Sequence, residues 1–358
     1  MFLSRTYYGS FVSGLQDVAA GVVRERLDDA VILKLLDGAI IFETSVPYDM
    51  LNFICFNNIF AVIDIFEMKT VASGFSPTAA PELHIRKLCA SGKNSANRSA
   101  LSQKALDAIG NNNRKIQSFR LIFSSENEPI SVDESLKRNM EQFIGDISAL
   151  KTERAKADTE FWFLYRREGF SVFMKRLTVN ARKKPYPGEL PVPLAWLLCR
   201  IAALKPGETA ADPFCGYGSI PEAALKFFPI KKFYASDEDS RCVTITGLRR
   251  GLKNARAEIN TPDISAIRSF IREGELDAVI TDPPWGMYRE SPVPLDALYE
   301  KSLVLFSCLL KEGGRCVILT AARRELESAA AKVPGLRITR TFSVLVSGKK
   351  AAVYVLEK

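Results

Sequence analysis

Asp212-Pro213-Phe214-Cys215-Gly216-Tyr217-Gly218-Ser219 follows the apolar run Thr209-Ala210-Ala211 and leads into the helix-forming residues 220–225. The order is strand, tight turn, helix. Glycine takes the positive φ of such a turn without strain and lets another molecule approach the backbone closely. A turn of this kind directs backbone N–H groups and a helix N-terminus at a ligand. Asp212 falls where the strand runs out, and ligands of open α/β sheets bind at that carboxyl edge.

Further acidic strand ends follow. The apolar residues 232–236 stop at Asp237-Glu238-Asp239. An acid there suits a ribose hydroxyl contact, and Asp237 or Asp239 also suits the N-cap of the next helix. Asp263-Ile264-Ser265 is a third acidic turn, which alone reads as another cap. Residues 278–280 look like a buried parallel strand, apolar on both faces. That strand terminates in Asp282-Pro283-Pro284-Trp285-Gly286. The two prolines lack N–H donors and hold the preceding carbonyls in extended geometry.

These two stretches resemble motifs I and IV of class I S-adenosylmethionine-dependent methyltransferases. The pair Asp-Pro-Phe-Cys-Gly-x-Gly-Ser-Ile-Pro and Asp-Pro-Pro-aromatic-Gly is similar to that of THUMP-containing RNA guanosine N2-methyltransferases, including the tRNA acceptor-stem enzymes. Tyr217, Ser219 and Trp285 stand where Ser, Thr and Tyr are commoner in that family. The resemblance implies S-adenosylmethionine over Gly216 and Gly218, with Asp212, Pro213, Phe214, Cys215 and Ser219 around it. It implies the ribose on Asp237 and Glu238, and the adenine near Asp263 and Ile264. It also implies that Glu189-Leu190-Pro191 pack over the methionine end.

Elementary chemistry agrees with the resemblance. An exocyclic amine is a poor nucleophile because its lone pair is delocalised into the ring. Asp282 can accept one amine proton and the Pro283 carbonyl the other, with Pro284 stiffening the loop. This orients the lone pair and stabilises the charge that grows on nitrogen. Trp285 offers a face on which an extruded base can stack. Much of the rate would come from positioning two bound reactants. His84 is the only histidine, far upstream, and none is needed. Cys215 reads as a small packing residue.

Strands and helices alternate through the second half and end in a hairpin around Gly348-Lys349-Lys350. The fold class expected is therefore α/β, a class I methyltransferase Rossmann-like doubly wound sheet. The N-terminal half is expected to be α+β. Residues 1–66 read as strand, helix, strand, strand, helix (47–56), strand, a ferredoxin-like order. Residues 67–175 resemble a THUMP RNA-binding domain in position and outline, 176–193 a linker, and 194–358 the methyltransferase domain.

The chain has 358 residues and a formal net charge of +8. Residues 1–175 carry 21 basic against 21 acidic side chains, so the excess lies in the second half. A basic balance suits an RNA partner. Residues 86–120 hold eight Lys or Arg against Asp107 alone, and Lys93, Arg98, Lys104, Arg114 and Lys115 are candidate phosphate contacts. A solvated helix face and loop would have the same composition. Seven cysteines without a Cys-x-x-Cys pair point to reduced thiols in a cytosolic protein. No apolar run is long enough to span a membrane. A ribosomal RNA guanine or an adenine N6 is an alternative target. An RNA-binding protein with an inert transferase domain would need a broken motif, and both motifs are intact. A nicotinamide-dependent dehydrogenase has different glycine spacing.

Overall fold

The structure, a computed structural model, describes residues 4–48, 50, 51, 53–67, 86, 103–105, 107, 108, 116–126, 128–178, 186–253, 256–260, 266–287 and 294–358. The chain divides into two compact units. One comprises residues 1–10, 23–53 and 58–181, the other residues 11–22, 54–57 and 182–358.

The first unit is built on one sheet. Its strands are β1 (Arg5–Ser10), β2 (Val31–Leu36), β3 (Ala39–Thr44), β4 (Asn58–Glu67), β5 (Ser118–Ser125), β6 (Glu128–Pro129), β7 (Lys151–Thr152), β8 (Thr159–Arg166) and β9 (Phe170–Arg176). Their order is β2-β3-β1-β4-β9-β8-β5-β6, with β7 beside β5. A helix at Gln16–Arg26 (α1) follows β1, its residues 16–22 belonging to the second unit. Another at Glu134–Ser148 (α2) is capped by the Asp133 carboxylate. Leu136, Met140 and Ile144 recur at helical spacing and join Phe119, Phe161 and Phe173 in a shared core.

The helix expected at 47–56 is absent from the described residues there, which form turns closed by Met50 N–H on the Pro47 carbonyl (3.1 Å). Phe53, Cys55 and Phe56 are nonetheless buried. The expectation of a helix there is corrected, although its apolar residues do enter the core. Asn57 and Asn58, directly after the stretch, favour turns.

The second unit carries a seven-stranded sheet of β10 (Thr209–Asp212), β11 (Lys232–Ser236), β12 (Ala257–Asn260), β13 (Leu276–Thr281), β14 (Leu310–Thr320), β15 (Arg337–Val346) and β16 (Lys349–Glu357). The order is β12-β11-β10-β13-β14-β16-β15, parallel except for the antiparallel pairings of β16. This is the doubly wound sheet with a terminal hairpin read from the sequence. The half-buried β12 was not anticipated, because Ala-Glu-Ile-Asn has little apolar signal.

Connecting helices are α3 (Val192–Ile201), α4 (Ser219–Phe227), α5 (Ser240–Leu248), α6 (Leu295–Leu309) and α7 (Arg323–Lys332). Leu276, Ala278, Val279 and Ile280 are fully buried in β13. Burying a side chain of Val or Ile size stabilises by roughly 1.5–3 kcal/mol, so the core fixes this register. Ala210 pairs with Ala278 and Ala211 with Val279. Adjacent parallel strands therefore deliver Asp212 and Asp282 to the same rim, where the strand order reverses direction.

Candidate active site

Asp212 ends β10 and is only 1% exposed. Its Oδ1 accepts from Thr281 Oγ1 (2.7 Å) and from Phe214 N–H (3.2 Å). Its Oδ2 is buried and makes no hydrogen bond to any described residue. Burial pushes this carboxyl up to about 8, against the two hydrogen bonds, and the charges of Asp282 and Asp237 push it further the same way.

The glycine turn is braced from within. Gly216 and Gly218 have φ of 49° and 82°. Gly216 N–H donates to Asp237 Oδ2 (2.8 Å), Cys215 N–H to the Ser236 carbonyl (2.9 Å) and Gly218 N–H to the Cys215 carbonyl (2.8 Å). Thr246 Oγ1 donates to the Gly216 carbonyl (2.9 Å). Several donors expected to face a ligand are thus spent on rigidity. Asp237 Oδ1 accepts from Asp239 N–H (2.9 Å), and Asp239 itself caps α5. The cap read for this acidic cluster falls on Asp239, and Asp237 ties the turn to the end of β11. Cys215 is buried and its thiol is pushed far up by that burial, so it packs as expected.

The second loop is pinned just as firmly. Asp282 Oδ1 accepts from the Trp285 indole N–H (2.8 Å). Tyr299 of α6 donates to the Pro284 carbonyl (3.1 Å) and shares a hydrogen bond with Thr320 Oγ1 (2.6 Å). Gly286 has φ 73°, and a Cβ there would lie 2.4 Å from Leu295 Cδ1. Asp282 keeps some exposed surface, yet it is desolvated enough to push its carboxyl up to about 7, partly offset by the Trp285 bond.

A strap from residue 186 to 191 closes the third side. Glu189 Oε2 accepts from Tyr186 N–H (2.9 Å), and Oε1 pairs with Arg249, which also holds Glu222. The Tyr186 ring stacks on Tyr217 at 4.5 Å and 15°. One cavity results, lined by Glu189, Leu190, Asp212, Phe214, Cys215, Gly216, Ser219 and Asp282, together with Gly188, Tyr217 and Ile220.

Other expected residues stand outside this lining. Pro191 is exposed at the start of α3, Pro213 and Gly218 are buried beneath the turn, and Asp237 stands behind it. Glu238 and Pro284 are exposed, Pro283 is buried, and Trp285 is half-buried beside Asp282. Asp263 and Ile264 lie outside the described residues, as do Lys93, Arg98, Arg114 and Lys115. Lys104, in the first unit, is exposed and shares a pocket with Arg5, Glu43, Asp64 and Asp107.

Sequence reasoning missed Thr281, Thr246 and Arg249. Thr281 adjoins Asp282 and was within reach of inspection. Arg249 carries no local signal, since its partner Glu189 lies 60 residues away.

The cavity's chemistry is that of a cation site. Asp212, Asp282 and Glu189 line it, the two aspartates with raised proton affinity. A Cβ on Gly216 would meet no protein atom within 4 Å, so the backbone there is open to close approach. A positively charged ligand would relieve the clustered carboxylates. A pyrophosphate would be repelled by them.

Comparison with known proteins agrees with this geometry. Residues 180–352 match the UPF0020 RMKL-like methyltransferase domain. A tRNA (guanine(6)-N2)-methyltransferase of Thermus thermophilus is 33% identical over 200 residues, covering 53% of this chain and 56% of that protein. A tRNA (guanine(10)-N2)-dimethyltransferase of Methanothermobacter thermautotrophicus is 32% identical over 154 residues, covering 41% and 43%. The chain thus spans about half the length of these curated relatives. The crystal structure of TrmN from Thermus thermophilus superposes with a TM-score of 0.72 at 18% identity over 99% of both chains, which shows the same fold. The two strand-end motifs, the sheet order and the matched span together make the second half of this chain a member of the UPF0020 RMKL-like methyltransferase domain family.

Proposed function

We propose that the protein is an S-adenosylmethionine-dependent RNA methyltransferase that acts on the exocyclic N2 of a guanosine in tRNA. The observation that carries this reading is the buried, unpartnered Oδ2 of Asp212 in one cavity with Asp282. An enclosed carboxylate without a partner is costly unless a cationic ligand completes it. S-adenosylmethionine supplies an electrophilic methyl group on a positively charged sulfur.

The protein's own residues would do the rest. Glu189, Leu190, Asp212, Gly216 and Ser219 hold the donor, and Asp237, which braces the turn, is the proposed ribose contact. Asp282 accepts a proton of the amine, and the Pro283 carbonyl, which hydrogen-bonds to no described residue, accepts the other. The donor, when bound, would supply the methyl carbon and take back the electron pair of its carbon–sulfur bond, and Asp282 would take the surplus proton of the methylated nitrogen. A carboxylate whose proton affinity lies near neutrality is suited to that task.

The activities for which these relatives are named support a tRNA guanine as target. We further propose a ferredoxin-like part at 1–66, a THUMP-like RNA-binding part at 67–175 and a linker at 176–193, in a cytoplasmic monomer. Among the described residues no helix is long and apolar enough to cross a membrane. The basic residues Lys93, Arg98, Lys104, Arg114 and Lys115 are proposed phosphate contacts.

Incubation with methyl-labelled S-adenosylmethionine and unmodified tRNA, followed by nucleoside digestion, tests the reading. The expected product is N2-methylguanosine. Label in N6-methyladenosine, or in ribosomal RNA alone, would transfer the assignment to the alternative substrates.

A further inference from the structure

Two aspartates end adjacent strands here, and their neighbours treat them differently. In Asp212-Pro213-Phe214 the residue two positions on retains its N–H, and that N–H donates back to the carboxylate (3.2 Å). This is the ordinary local fate of an Asp that begins a turn. In Asp282-Pro283-Pro284 both following residues are prolines, which have no N–H. The two residues that follow Asp282 therefore offer no N–H to capture it, unlike Phe214 after Asp212. The donor that does reach it is the Trp285 indole N–H, 2.8 Å from Oδ1. Asp282 Oδ2 makes no hydrogen bond to any described residue, and Asp282 lines the cavity.

We propose that Trp285 is a positioning residue for the transfer: its indole N–H fixes one oxygen of Asp282 and leaves the other to meet the incoming amine. This rests on the function proposed above and adds a second role to the stacking face of the ring. A Phe side chain offers that face without the donor, and a Tyr carries its donor at the far end of the ring. The sequence thus couples two prolines that remove the donors next to Asp282 to a tryptophan whose side chain supplies one. A hydrogen bond to an ionised carboxylate favours the ionised form, so the indole also keeps Asp282 ready as an acceptor.

The other groups facing Asp282 do not duplicate this role. Asp212 at the end of β10 is a like charge, and Glu189 lines the same cavity from the strap. Tyr299 of α6 commits its hydroxyl to Pro284 and Thr320. The nearby cation Lys349 reaches Met287 Sδ at 3.7 Å.

The test is the pH profile of Trp285→Phe. The variant should lose about tenfold in kcat at pH 7, and its acid limb should move to higher pH by about one unit. Its KM for tRNA should change much less, because the phenyl ring retains a stacking face. A profile superimposable on the wild type overturns the proposal, whatever happens to KM. A readout independent of turnover is tryptophan fluorescence against pH in the cofactor-free protein. The wild type should show a transition with its midpoint near 7 that is missing in Trp285→Phe and in Asp282→Asn. A transition that persists in Asp282→Asn also overturns the proposal, even if Trp285→Phe folds poorly. Should the wild type methylate no tRNA at all, the functional reading fails. The fluorescence titration then still decides whether indole and carboxylate are coupled.

Discussion

Asp282→Ala is expected to lower methyl transfer to tRNA by about 10³-fold while S-adenosylhomocysteine still binds. The expectation follows from what the side chain touches. Its carboxylate lines the cavity and one oxygen is fixed by Trp285. Removing it takes away the acceptor for the amine proton and the negative charge that offsets the developing positive charge on nitrogen. The loop itself should survive, because Tyr299 anchors the Pro284 carbonyl and Leu295 packs at Gly286 independently of Asp282. The product analogue has a neutral sulfur, so its affinity depends on the strap and turn more than on this charge. Single-turnover rates and calorimetric binding, measured side by side, check both halves. Near-normal transfer would remove Asp282 from the reaction.

The second large effect separates the two glycines of the turn. Gly218→Ala should destabilise the fold by about 2–4 kcal/mol, combining a left-handed backbone with overpacking. Its φ is 82°, and a Cβ would lie 2.7 Å from Thr246 Cγ2 and 3.3 Å from Leu252 Cδ1. Thr246 would then shift, and with it the hydrogen bond that holds the Gly216 carbonyl. Gly216→Ala should behave differently. The new methyl meets no protein atom within 4 Å, so only the strain of φ 49° opposes folding, roughly 1 kcal/mol. The same methyl would project into the path of the donor, and affinity for S-adenosylhomocysteine should fall at least about tenfold. Thermal melts and binding isotherms for the two variants give the comparison. Equal affinity for wild type and Gly216→Ala would mean that the ligand does not approach this backbone.

Much of the second half was legible because each motif couples a strand signal to a turn signal. The apolar runs before Asp212 and Asp282 predict buried parallel strands, and the glycines and prolines mark where they stop. Parallel pairing then brings the two acids together without further information. What stayed hidden depends on contacts distant in sequence. Arg249 finds Glu189 only once the strap has folded back, and Tyr217 reads as an odd substitution until Tyr186 stacks on it. Glycine turns suggest an anion cradle, but here Gly216 N–H serves Asp237, and the lining carboxylates dominate. The expected helix at 47–56 shows the limit of periodicity: a looped backbone there buries Phe53 and Phe56 without helical geometry.

The central claim is that one cavity at the strand rim is electrostatically completed by a cationic donor. Calorimetric titration at pH 7 in two buffers of different ionisation heat tests it. Burial holds Asp212 up to about 8 and Asp282 up to about 7, so both carry substantial proton occupancy at pH 7. A bound cation favours their ionised forms, lowers both proton affinities and drives protons into the buffer. The account predicts net proton release when S-adenosylmethionine binds, more than for the neutral-sulfur S-adenosylhomocysteine, and none of that excess in the Asp212→Asn/Asp282→Asn double variant. Enthalpies identical in both buffers, or an excess unchanged in the double variant, would contradict it.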